Sequence, residues 1–151
     1  MIRFTTDLDT TNHALAPGEQ AETALNVEVL PLDHILAGQS PLFMKIDVEG
    51  YETEVLKGAH ETLAKSSLKV VLMELNGSGG RYGWDEAFNL KLMRELGFAT
   101  YSYFPFERKL RALAGGKTKT SSGNTIFIRD EDFVRERLEP SPTVIVHGHD
   151  F

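Results

Sequence analysis

The segment Leu68–Leu75, LKVVLMEL, is apolar at nearly every position and rich in valine. A strand with one wet face alternates apolar and polar side chains. A run without alternation belongs to a strand covered on both faces, the habit of parallel sheets in α/β proteins. The flanking segments fit that reading. Leu42–Ile46 is a short apolar strand, and Tyr51, Val55, Ala59 and Leu63 follow at four-residue spacing, predicting a helix from Gly50 to about Leu63. NGSGGRYG then makes a loop. A second helix is predicted from about Trp84 to Leu96, its stripe of Trp84, Phe88, Leu92 and Leu96 facing the core and Gly97 at the left-handed cap. FATYSYF reads as a strand stopped by Pro105, and NTIFIR as the last strand.

Upstream, Val27 and Val29 alternate until Pro31 ends a strand, and Asp33 is placed to cap a short helical turn. The order of elements indicates an open α/β sheet with helices on both faces. Its first strands are expected to run parallel through right-handed crossovers, and its last two to be antiparallel neighbours. One domain is expected over residues 1–151: irregular chain with at most one short strand over 1–25, the α/β core over 26–128, and a loosely attached tail over 129–151 that begins with one or two helical turns.

The net charge of −6 opposes general binding to nucleic acid or to an anionic membrane, both of which need a cationic surface. Basic residues gather between Arg108 and Lys119, where they read as a solvated loop. There are no cysteines, so disulfides, thiolate zinc sites and thiol catalysis are excluded. No segment resembles a signal peptide or approaches a membrane span, which suggests a cytoplasmic protein. His13, His34 and His60 are scattered and expected at the surface, and His147 and His149 form an H-x-H pair in the tail.

In open α/β sheets the ligand crevice lies beyond the carboxyl ends of the strands. That rule places Asp47 and Glu49 at one strand end, and Glu74 and Asn76 at the next. Acids at a helix start are also favoured by the helix dipole, so capping alone accounts for Asp47, Glu49, Glu52 and Glu54. Glu74 is harder to explain that way, because it ends an apolar run where a charge costs most. Two chemistries fit the cluster. One carboxylate could act as general base toward a hydroxyl. Alternatively Asp47, Glu74 and Asn76 could hold a Mg²⁺-like ion that acidifies it. GGKT, Gly115–Thr118, lacks the first glycine of a phosphate loop, and GSGG, Gly77–Gly80, lacks the third glycine of a dinucleotide fingerprint.

PLFMKIDVEGYETEVLKGAHETL resembles the signature segment of the FkbM-type methyltransferases, which use S-adenosylmethionine and mostly methylate oxygen. The resemblance runs from Asn26 to Ile128, through NVEVLPLDHIL, VVLMELN and LGFATYSY. It implies a Rossmann-like seven-stranded sheet in which Leu42–Ile46 is the fourth strand and Leu68–Leu75 the fifth. Phe98–Phe104 would be the sixth, and Thr125–Ile128 an antiparallel seventh inserted between the fifth and sixth. It further implies Asp47 and Glu49 as catalytic, Lys45, Glu74 and Asn76 as crevice-lining, and a small-molecule or sugar hydroxyl as substrate. The family's glycine-rich turn after strand one and acidic residue after strand two have no counterpart before Asn26. The chain therefore resembles the C-terminal portion of such an enzyme. The alternative is a non-catalytic half-domain that binds a partner or completes another sheet. Without strand one, the fourth strand is an edge, expected to form a homodimer, to lie under residues 1–25, or to make the chain poorly soluble.

Overall fold

The computed structural model describes residues 1–113, 123–138, 140–142 and 144–150. The GGKT segment lies outside them. An antiparallel ribbon comes first, β1 (Ile2–Thr5) with β2 (Ala24–Val27), joined through a 3-10 turn at Asp9–Thr11. Residues 1–25 are thus more ordered than their sequence suggests. Thr5 and His13 are buried, and the His13 ring is held on both nitrogens, by the Thr11 carbonyl and by Glu19 Oε1, each at 2.9 Å. His13 is not a surface residue; His34 and His60 are.

The main sheet has five strands in the order β3 (Phe43–Ile46), β4 (Val70–Glu74), β7 (Asn124–Ile128), β5 (Ala99–Phe104), β6 (Lys109–Ala112). β3 and β4 are parallel, with Ile46 beside Met73. β7 runs antiparallel between β4 and β5, and β6 turns back along β5. The chain is therefore α/β with a mixed sheet. β6 falls where a basic loop was expected. Its charges suit an outer strand, and Arg111 pairs with Glu107 at 2.7 Å while its guanidinium lies over Phe104.

Helices flank both faces. α1 (Leu32–Leu36), α2 (Glu52–Lys57), α3 (His60–Ala64) and α4 (Glu86–Glu95) are the first four. On one face Leu56, Leu63 and Met93 join Ile46, Val71, Met73 and Phe127 in the main core. On the other face α5 (Glu131–Leu138) brings Val134 and Leu138 to Tyr101, Leu110 and Ile128. α5 packs toward the β5–β6 end, so Val70 and Leu72 of β4 are only half-buried. The apolar run is sealed on one face and partly covered on the other.

Three details differ from the periodic reading. The helix after β3 breaks at Gly58, where a Cβ would stand 3.2 Å from Pro31 Cα, so α1 packs into the gap between α2 and α3. Asp33 does not cap its own helix. Its carboxylate accepts from the Glu61 and Thr62 amides and the Thr62 hydroxyl, capping α3 instead. α4 is rotated so that Asn89 and Met93 are buried, while Phe88 is exposed and Trp84 is half-buried beneath Lys57 Nζ. Asn89 Oδ1 accepts from Thr53 Oγ1 at 2.9 Å, a buried polar pair that hydrophobic periodicity does not register.

α4 closes as its sequence suggests. Gly97 has φ +85°, its amide bonds to Arg94, and the Phe98 amide reaches Met93, a Schellman arrangement. After α5 the tail is not unstructured, since β8 (Ile145–Val146) and β9 (His149–Asp150) pair. Among the described residues no helix is long and apolar enough to cross a membrane.

Candidate active site

The string KIDVEGYE carries β3 into α2 through a tight turn with two consecutive left-handed residues, Glu49 at φ +52° and Gly50 at φ +101°. Glycine is required at the second for a further reason. A Cβ on Gly50 would lie 2.6 Å from the Ser78 carbonyl oxygen, so the loop after β4 packs directly on this backbone. Glu52 folds back from the start of α2. Its Oε1 accepts from the amides of Val48 at 3.3 Å and Gly50 at 3.2 Å. Burial raises the pKa of Glu52, against those backbone hydrogen bonds, and the nearby Glu49 charge adds to the rise. In the sequence Glu52 reads only as a dipole-favoured acid. The signal available was its spacing, two residues after the glycine.

This turn and the end of β4 bring three of the expected residues together. Carboxylate oxygens of Asp47, Glu49 and Glu74 lie within 4.8 Å of one another. Asp47 is exposed, the other two half-buried. Lys45 Nζ reaches Asp47 Oδ2 at 2.6 Å. The pKa of Glu74 is raised, first by burial and then by the charges of Asp47, Glu49 and Glu52. Asn76 is turned to another task. Its Oδ1 accepts from the Ser78 amide at 2.9 Å and from the Ser78 hydroxyl, shaping the first turn of the glycine-rich loop. The oxygen donors that converge are thus Asp47, Glu49 and Glu74. They could ligate a hard cation, but exposed acids commonly converge without one.

A cleft of about 460 Å³ opens beside the acids. Asp47, Val48, Glu49 and Tyr51 line it on the side of the acids, with Ile2, Phe4 and Val27 of the ribbon and Val29 just beyond it. Tyr51 meets Tyr82 edge to face at 5.2 Å, and the Tyr82 hydroxyl donates to the Ala14 carbonyl at 2.6 Å. The loop after β4 is thereby tied to the N-terminal segment. The arrangement is an apolar slot with carboxylates along one side, suited to hold a molecule and to accept a proton or compensate a positive charge at one end.

Comparison with known proteins bears on this geometry. No curated protein and no solved structure matches the chain. The family model described as Methyltransferase FkbM domain matches residues 2–100. The match starts at Ile2 rather than Asn26, so the ribbon that walls the cleft lies within the matched region, together with β3, the acidic turn and Glu74. It spans about two thirds of the sequence, and the chain belongs to the FkbM methyltransferase family.

Proposed function

We propose that the chain contributes the acid-lined wall of a methyltransferase site that acts on a hydroxyl of a small molecule or sugar, with S-adenosylmethionine as donor. The observation that carries this reading is the convergence of Asp47, Glu49 and Glu74 at the carboxyl ends of two adjacent parallel strands, beside a cleft. The antiparallel β7 between β4 and β5 supports the reading of the sheet as part of the seven-stranded methyltransferase architecture. The residues suit the donor in character, since carboxylates stand beside an apolar slot and the cofactor combines a cationic sulfur with apolar and aromatic parts. When bound, the cofactor supplies an electrophilic methyl group on that sulfur.

The protein's tasks are position and proton removal. Lys45 holds Asp47 by Oδ2, and the Asp47 carboxylate is the group we assign to accept the proton of the substrate hydroxyl. Glu49 lines the cleft next to it. Burial and the charges of Asp47, Glu49 and Glu52 raise the pKa of Glu74 beside it. Glu52 fixes the backbone from which Asp47 and Glu49 project.

Calorimetric titration with S-adenosylmethionine tests the reading. Heat of binding is expected, and Asp47→Asn is expected to weaken it. Absence of heat at millimolar cofactor would sink the enzymatic reading for this chain and favour the non-catalytic alternative, a module that completes another sheet.

A further inference from the structure

The basic residues that begin at Arg108 gather around a pocket. Arg108, Lys109 and Arg111 come from the β5–β6 turn and from β6, and α5 adds Arg135. With Glu107, Leu110 and Leu138 they line a cavity of about 370 Å³. β3 and β6 are opposite ends of the five-stranded sheet, so this pocket is remote from the acidic cleft. All its residues lie outside the matched region 2–100.

Three of the four cations are held in place. Arg108 Nη2 donates to the Leu138 carbonyl at 2.8 Å and to the Ser141 carbonyl, which also offsets the negative end of the α5 dipole. Arg135 donates through Nη2 to the Leu110 carbonyl at 3.0 Å and through Nε to Glu131 at 2.7 Å. Arg111 is fixed by Glu107 and by the Phe104 ring. Lys109 is exposed and has no ion pair among the described residues. Guanidinium groups already fixed lose little freedom when an oxyanion arrives. The charges decide what kind of oxyanion suits the pocket. Glu107 offsets Arg111 and Glu131 offsets Arg135, which leaves two positive charges, on Arg108 and Lys109. Asp132 and Glu136 are exposed residues of α5 and do not line the cavity.

We propose that this pocket binds the phosphate group of a small molecule, with Arg108 and Lys109 as its principal donors and Leu110 and Leu138 against the uncharged part. Arg108 bonds to the protein through Nη2 alone among the described residues, so its Nε and Nη1 remain as donors. Two net positive charges match a phosphate monoester, which is close to a dianion at neutral pH, better than a carboxylate. The positive charge is local in a chain of net charge −6, which suits a small ligand and opposes a nucleic-acid backbone. The site makes no use of the methyl-transfer reading and stands or falls apart from it.

Calorimetric titration of the full chain with inorganic phosphate tests it, at low salt and about pH 8, where phosphate is a dianion. Acetate serves as the monoanion for comparison. Saturable binding of one phosphate per chain is expected, about tenfold or more tighter than acetate. Lys109→Glu is expected to weaken it by about tenfold or more, and Lys109→Arg to retain it. Lys91→Glu, at an exposed position of α4, is expected to leave it unchanged. Far-ultraviolet circular dichroism checks that each variant is folded. Phosphate binding that does not saturate overturns the proposal, as does equal affinity for acetate or indifference to Lys109→Glu. A single-stranded RNA that binds through Lys109 without competition from phosphate overturns it too.

Discussion

Replacing Gly50 by alanine imposes two separate penalties, and the structure supplies a control that separates them. The first is conformational: φ is +101°, and an L-residue in left-handed backbone costs about 1–2 kcal/mol. The second is steric. The added Cβ meets Ser78 O at 2.6 Å and Ser78 C at 2.7 Å, both backbone atoms that cannot rotate away. Forcing a methyl group into a packed site costs typically about 1–3 kcal/mol. Gly77→Ala carries only the first penalty, because its φ is +90° with nothing within 4 Å of the added Cβ. Urea unfolding of the two variants is therefore expected to show a loss of about 1–2 kcal/mol for Gly77→Ala and about 2–5 kcal/mol for Gly50→Ala. Equal losses would refute the close approach of the glycine-rich loop to the acidic turn. With the loop pushed off, Tyr82 also moves relative to Tyr51 and Ala14, so cofactor binding is expected to fall in Gly50→Ala and to persist in Gly77→Ala.

Two further substitutions probe the site's supports. Glu52→Gln keeps an oxygen for the Val48 and Gly50 amides, whereas Glu52→Ala strands both and is expected to cost about 1–3 kcal/mol in unfolding experiments. Because burial raises the Glu52 pKa in the folded chain, the native state binds the extra proton. The stability this contributes is present below the unfolded pKa and is lost as pH rises through the folded value, so Glu52→Gln should flatten that part of the stability–pH curve. Asp33 shows the opposite sign. Burial pushes its pKa up, but the bonds from Thr62 and Glu61 outweigh it and lower the pKa, so its contribution is lost as pH falls through the folded value. Asp33→Ala removes the cap of α3, with an expected loss of about 1–2 kcal/mol near neutral pH and less in acid.

What was legible in the sequence was what is local. The apolar runs of β4 and β7 mark largely buried strands whatever surrounds them, that of β3 marks a strand though Phe43 and Lys45 are exposed, and Gly97 marks a helix end because only the backbone decides it. The acidic turn was visible for the same reason, since KIDVEGYE holds its own shape through contacts two to four residues long. Features set by distant partners were not visible. Asp33 caps a helix 28 residues on, and Gly58 breaks a periodic stripe because Pro31 occupies the space beside it. The rotation of α4 follows from a buried Thr53–Asn89 pair, 36 residues apart, that makes a polar residue the inward one. Residue type and strand-end position pointed to Asp47, Glu49 and Glu74, the acids that converge. They could not show that Asn76 spends its amide oxygen on the loop, or that Glu52 is the buried member of the group.

Among the described residues the ribbon of β1 and β2 shares no ladder with the five-stranded sheet, yet it forms one side of the cleft. The two sides therefore differ in how firmly they are held. Asp47, Val48 and Glu49 continue a strand anchored in the main core, whereas Ile2, Phe4 and Val27 belong to a two-stranded unit, a kind that is marginal in isolation. Local opening in a protein follows such differences in cooperative stability. The width of this cleft is thus governed by a small unit with its own free energy of detachment, and a ligand that bridges the two sides spends part of its affinity fastening the weaker one.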